Sequence, residues 1–222
     1  MVFFLLPWSA RHSDIHTSSE SVGDAGLSFA HLNPIREKLM EKFGIKDGPL
    51  APLWRRYRGA FWEELCFWAL PPKVQREIEE RSLVPSPLFG LLRAGDLVPK
   101  YPLRWETRYE GKSLRSFWRD RLGSLLSQTL VGVTVFDFLT SRDRKALPIP
   151  DSAERVVFEY YRKGKRVLSP LPHRAYTLRY ILEMGVGKED LERINFLDYR
   201  VEKVSREGNL IRVIMVSEGR YL

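Results

Sequence analysis

Tyr180-Ile181-Leu182-Glu183-Met184-Gly185-Val186-Gly187-Lys188-Glu189-Asp190-Leu191-Glu192-Arg193-Ile194 carries the sharpest local pattern in the chain. A helical stretch opened by Pro172, with Leu178, Ile181, Leu182 and Met184 as its apolar positions, stops at a Gly-X-Gly, and a second periodic run starts behind it. The spacing resembles a helix-hairpin-helix within residues 174–194. Gly185 and Gly187 permit positive φ and leave no side chain in the way of an approaching phosphate. The free N–H groups and positive dipole end of the second helix would then bind phosphate oxygens, and Lys188 would add a full charge. Gly185, Val186, Gly187 and Lys188, with Arg174, Arg179 and Arg193 nearby, are therefore the candidate DNA contacts, which position a duplex without reading its sequence. An ordinary αα corner with a solvated Lys188 uses the same residues.

The charge distribution points the same way. Of 222 residues, 36 are Lys or Arg and 28 Asp or Glu, a net charge of +8. Residues 1–92 are balanced, so the whole excess lies after Leu92, where a polyanion would be met. With 44% hydrophobic residues the composition is that of a globular protein, and the length suits a single domain over residues 1–222. The one cysteine, Cys66, cannot form an internal disulfide and suits a reducing cytoplasm. Few Asn and Gln beside many Arg, Lys and Glu lean towards a thermophilic source. The apolar opening Met1–Trp8 is too short to span a bilayer and lacks the features of a signal peptide, so it reads as a buried first strand and no membrane partner is expected.

Working outward, Ser9–Ser28 reads as a long polar loop, and Asn33-Pro34 opens a helix that runs to Gly44. Leu53–Leu70 is dense in aromatics, with Trp62 and Trp68 at core-like spacing. Another helix begins at Pro71-Pro72, and Leu83–Leu103 is broken by Pro and Gly into short extended pieces. Leu114–Leu130 is an amphipathic helix, and Val131–Phe136 a strand. Arg155–Tyr161 and Arg166–Ser169 form a hairpin around Lys163-Gly164-Lys165, and two strands close the chain, Tyr199–Val204 and Leu210–Val216. Without a clean βαβ rhythm, this order predicts an α+β (mixed α/β) fold.

Leu88-Phe89-Gly90-Leu91-Leu92-Arg93-Ala94-Gly95-Asp96-Leu97, then Tyr101, then Phe117-Trp118-Arg119-Asp120, resembles the YaaA family of peroxide-stress proteins. Val2–Ser9, Tyr57-Arg58-Gly59 to Trp62, Val133–Ser141 and Arg174–Glu183 are similar to further family segments in the same order. The chain departs from the family pattern at His12, where the family's opening loop carries a lysine, and at Ala94, Pro102, Arg119 and Leu171-Pro172. The resemblance implies a compact α/β fold with a positively charged cleft, a helix-hairpin-helix, DNA binding without strong sequence preference, and a part in limiting oxidative damage.

A second reading is an enzyme acting on a nucleotide, nucleobase or related small anion in a cleft. Its candidate catalytic residues are Arg93, Asp96, Tyr101 and Asp120, with Ser9 and His12 from the opening loop. Arg93 with Asp96 equally reads as a buried structural ion pair, and Asp120 as a salt-bridge partner of neighbouring arginines. His12, Asp14 and His16 lie in a Ser/Thr-rich loop, so no metal is expected. Among the remaining tryptophans, Trp8, Trp54 or Trp105 is the candidate base contact. Walker, dinucleotide-binding, His-Glu-x-x-His and Gly-x-Ser-x-Gly motifs are absent from the sequence, which implies no cofactor. The expected partners are duplex or distorted DNA or a small anion, and a monomer is favoured.

Overall fold

Val2–Leu5 (β1) is an interior strand of the sheet, between Ser82–Ser86 and Thr134–Asp137, in the computed structural model of the chain, which describes residues 1–220. The other strands are β2 (Ser82–Ser86), β3 (Gly90–Leu92), β4 (Thr134–Asp137), β5 (Glu154–Arg162), β6 (Lys165–Arg166), β7 (Asn195–Phe196), β8 (Tyr199–Glu207) and β9 (Leu210–Ser217). Their order is β7-β8-β9-β5-β4-β1-β2-β3, with β6 pairing with β5. β2, β1, β4, β5 and β9 run parallel, while β3 and β8 pair antiparallel at the two flanks. The fold is mixed α/β.

Burial follows from this order. β2 and β4 are buried at every position and β1 at all but Val2, as expected of parallel strands covered on both faces. β5 and β9 alternate instead, sending Val156, Phe158, Tyr160, Ile211, Val213 and Met215 inward. The helices that cover the sheet include α1 (Asn33–Lys42), α2 (Ala60–Leu65), α3 (Pro72–Arg81), α4 (Leu114–Thr129) and α5 (Leu171–Met184). Proline sits in the first turn of α1, α3 and α5, where its missing N–H costs nothing, and the Ser113 hydroxyl caps α4 by accepting the Ser116 N–H. α2 lies against α5, and the Tyr176 hydroxyl donates to Glu64 at 2.9 Å.

Two expectations are corrected. Gly185 does end α5 in the left-handed conformation, its N–H bonded to the Ile181 carbonyl, but no second α-helix follows. Leu191–Arg193 is a single 3-10 turn leading into β7. The Asp190, Arg193 and Ile194 N–H groups bond the carbonyls three residues back, Gly187, Asp190 and Leu191, so the segment closes as 3-10 turns and not as an α-helix. Trp68 leaves the core because Cys66 takes φ 45°, which breaks the helical period after Leu65 and leaves the indole 76% exposed.

The chain path places a crevice. After β1 the chain crosses to β2 on one side; after β3 and α4 it enters β4 on the other side of β1. The winding direction thus reverses between β1 and β4. Ligands of open α/β sheets bind outside the carboxyl ends of strands at such a switch point.

Candidate functional site at the carboxyl edge of the sheet

Two groups of side chains meet at this edge. The first is a buried hydroxyl network under the loop that leaves β1. Tyr57 and Tyr101 share a hydrogen bond of 2.6 Å, and Tyr101 shares another with Ser86 at the end of β2, 2.8 Å. Burial pushes the Tyr101 hydroxyl up to about 12 and raises that of Tyr57 well above 10, so both stay protonated and serve as hydrogen-bonding groups rather than bases. Beside them Asp143 accepts from the Trp105 indole at 2.9 Å and the Thr140 hydroxyl at 2.7 Å. Its pKa is raised by burial.

His12 stacks on Tyr57 with ring centroids 5.2 Å apart. Its Nε2 faces the Ser9 carbonyl at 3.2 Å and therefore carries the proton, while Nδ1 accepts the Tyr101 N–H at 3.4 Å. The Ser9 hydroxyl turns away, bonding the Arg58 carbonyl and the Arg11 N–H, so Ser9 and His12 do not form a nucleophile–base pair. Burial lowers the His12 pKa to about 4. The unfolded chain therefore binds this proton more readily than the folded one, and stability falls as the pH drops from 6.5 towards 4, by about 3 kcal/mol. His173, also lowered by burial, adds to the fall. Denaturant titrations at neutral and acid pH are expected to show that His12→Phe removes most of it; an unchanged acid limb would contradict a buried neutral imidazole.

The second group is cationic. Asp137, fully buried at the end of β4, accepts the Leu139 N–H at 2.9 Å and the Arg144 Nε at 2.8 Å, with Arg155 Nε at 3.9 Å. Arg174, in the first turn of α5, donates to the Leu139 carbonyl at 2.9 Å, and burial lowers its pKa. Arg144, Arg166 and Arg174 line a cleft of about 430 Å3 together with Thr140, Glu159 and Ser169. Glu159 is bound by Arg212 at 2.5 Å and Arg166 at 3.5 Å. Four arginines thus meet two carboxylates, while Arg174 has no carboxylate within salt-bridge distance among the described residues and feels Asp137 and Asp143 only at longer range. The surplus suits an anion.

The sequence-derived candidates are not brought together as one cleft. Ser9, His12 and Tyr101 lie at the carboxyl edge. Arg93 and Asp96 follow antiparallel β3 and lie where β2 begins: the Ala94 N–H donates to Ser82 Oγ. Nor do they form an ion pair, because Asp96 accepts from the Arg93 N–H and from Ser28, while the Arg93 guanidinium lies over the Phe3 and Phe29 rings. Burial raises the Asp96 pKa. Asp120 is exposed on α4 and bound by Lys112 at 2.7 Å, not by the neighbouring arginines.

The DNA-contact candidates are also divided. Arg174 belongs to the cleft, whereas Gly185, Val186, Gly187 and Lys188 lie at the far end of α5, about 16 Å away by helical rise. Lys188 binds Glu154 at 2.7 Å, Arg179 binds Glu183, and Arg193 binds Asp190. Of the tryptophans named as base contacts, Trp8 and Trp105 are buried and Trp54 is half-buried against Phe67. Sequence reasoning missed Arg144 and Arg166, for which Arg142-Asp143-Arg144-Lys145 and the Lys165-Arg166 turn were the available signals.

An open, mostly parallel α/β sheet flanked by antiparallel strands is thus the class to which this chain conforms. The chain belongs to the family of the peroxide stress protein YaaA, which it matches over residues 25–204. It is similar to the uncharacterized protein Cj0984 of Campylobacter jejuni, 29% identical over 43% of this chain and 39% of the relative. It is also similar to a UPF0246 protein of Flavobacterium johnsoniae, 25% identical over 69% of this chain and 65% of the relative. The chain therefore spans less than two thirds of the length of these two. A UPF0246 protein of Corynebacterium efficiens is 25% identical over 76% of this chain and 86% of its own length. Among the described residues no helix is long and apolar enough to cross a membrane.

Proposed function

We propose that this chain is a DNA-binding protein of the peroxide-stress response that holds backbone phosphates without strong sequence preference. The observation that carries the reading is the cleft lined by Arg144, Arg166 and Arg174, whose positive surplus sits at the carboxyl edge of the sheet beside β4 and β5. Phosphate contacts of this kind fix a duplex but leave its bases unread.

The Gly185–Lys188 turn offers a second hold. Even without a second helix, the N–H groups of Gly187, Lys188 and Glu189 make no hydrogen bond among the described residues. The ion pairs of Lys188, Arg179 and Arg193 are partly exposed, contribute little to stability, and can exchange a carboxylate for a phosphate. A separation of about 16 Å is less than half a helical repeat of DNA, so one duplex can reach both patches. Three phosphates in the cleft predict a log–log slope of duplex affinity against salt of about −3, steeper if the turn takes part. An affinity flat with salt contradicts the reading.

A small anion such as a nucleotide is the second reading, favoured by the cleft volume, which lies in the range of ligand sites. It predicts that a mononucleotide raises the melting temperature in a dose-dependent way and that duplex DNA competes weakly.

A further inference from the structure

We infer that the pocket formed by the Trp54–Trp68 segment and Ile15 receives one unpaired nucleobase of a DNA strand, with the exposed Arg55 and Arg58 on the neighbouring phosphates. The inference rests on the DNA-binding reading and assigns it a second, separate site. The pocket has a volume of about 420 Å3, and Trp54, Tyr57, Trp62, Phe67 and Trp68 line it. Trp54 and Phe67 stack face to face, ring centroids 4.2 Å apart with 19° between their planes, which holds both rings fixed in the lining. Trp68 stands on the rim with its indole 76% in water, whereas Trp8, Trp62, Trp105 and Trp118 are buried. An indole held out at the mouth of an aromatic pocket is a surface on which a planar ring can stack.

Charge selects the kind of ring. Arg55 and Arg58 are exposed on the same rim and have no carboxylate within salt-bridge distance among the described residues. Glu63, the acidic residue of the lining, is engaged by the Gly59 N–H and by Arg11. An uncharged aromatic or aliphatic ligand would leave both guanidinium groups unused, while a base joined to phosphates uses the walls and the cations together. The pocket is also tied to the loop that leaves β1: the Trp62 indole donates to the Pro7 carbonyl at 3.0 Å, and the Ser9 hydroxyl bonds the Arg58 carbonyl. A base extruded from a duplex, or left unpaired at a defect, would enter from that side.

The test compares two duplexes of one sequence, one fully paired and one with a single unpaired 2-aminopurine. The unpaired duplex is expected to bind on the order of tenfold more tightly, and its emission to be quenched on binding. Trp68→Ala is expected to abolish both effects and leave affinity for the paired duplex unchanged; because Trp68 is exposed, the variant folds. Trp68→Phe keeps a ring and should keep most of the preference, and Arg58→Gln should weaken the unpaired duplex more than the paired one. Equal affinity for both duplexes without quenching, or a preference that survives Trp68→Ala, overturns the inference while DNA binding stands. Failure to bind either duplex overturns the DNA-binding reading and the inference with it.

Discussion

Asp137→Ala is expected to lower stability by about 3 kcal/mol and to weaken duplex binding at the same time. The Asp137 carboxylate is fully buried and engaged by the Leu139 N–H, Arg144 and, at longer range, Arg155. Removing one member of a buried pair strands the other charge, at a cost of about 3–5 kcal/mol; the lower figure applies here because Arg144 is a third exposed and water screens it. For a chain of this length the melting temperature should fall by roughly 6–12 °C. The functional effect has the same origin. Without Asp137 the Arg144 guanidinium loses the bond that aims it into the cleft, and phosphate affinity should drop several-fold. Calorimetry and binding on the same preparation check both parts; a stable variant with unchanged binding would remove Asp137 from the account.

Gly90→Ala should be of similar severity for a different reason. Gly90 opens β3 at φ 74°, and a Cβ there would lie 2.6 Å from the Trp118 ring. Trp118 cannot retreat: it is fully buried, and its indole donates to the Pro87 carbonyl at 2.8 Å. The left-handed backbone adds about 1–2 kcal/mol and the overpacking about 1–3 kcal/mol, so a loss of about 2–5 kcal/mol is expected in a denaturant titration. Gly90 and Trp118 fall in the two motifs that carried the family resemblance, and their contact gives those motifs a physical reason: the turn from β2 to β3 closes only over a glycine because the tryptophan fills the space. A midpoint within error of wild type would contradict this packing.

Much of the fold was legible where the signal is local. Pro34, Pro72 and Pro172 mark the starts of α1, α3 and α5, Gly185 marks the end of α5, and the alternation in β5 and β9 reads directly as half-buried strands. The parallel winding was not legible. β1 pairs with β2 and β4, far away in sequence, and no short-range period announces such a crossover. Trp68 shows how a period misleads, since one left-handed residue, Cys66, ends the helix and turns the next tryptophan outward. Arg93 and Asp96 share a motif with Tyr101 in sequence yet stand at the opposite edge of the sheet, because antiparallel β3 carries the chain back across it. The cleft was hidden for the same reason: Arg144, Arg166 and Arg174 come from three separate segments and converge only after β4 and β5 pair.

The central claim is that the cleft at the carboxyl edge, not the Gly185–Lys188 turn alone, holds DNA phosphates. Fluorescence anisotropy of a labelled duplex across a salt series, with wild type, Arg166→Glu and Lys188→Glu side by side, tests it most directly. The account predicts that Arg166→Glu weakens binding across all sequences and makes the salt slope shallower by about one, and that Lys188→Glu has a smaller effect. Binding unaffected by Arg166→Glu but abolished by Lys188→Glu would contradict it and return the phosphate site to the turn.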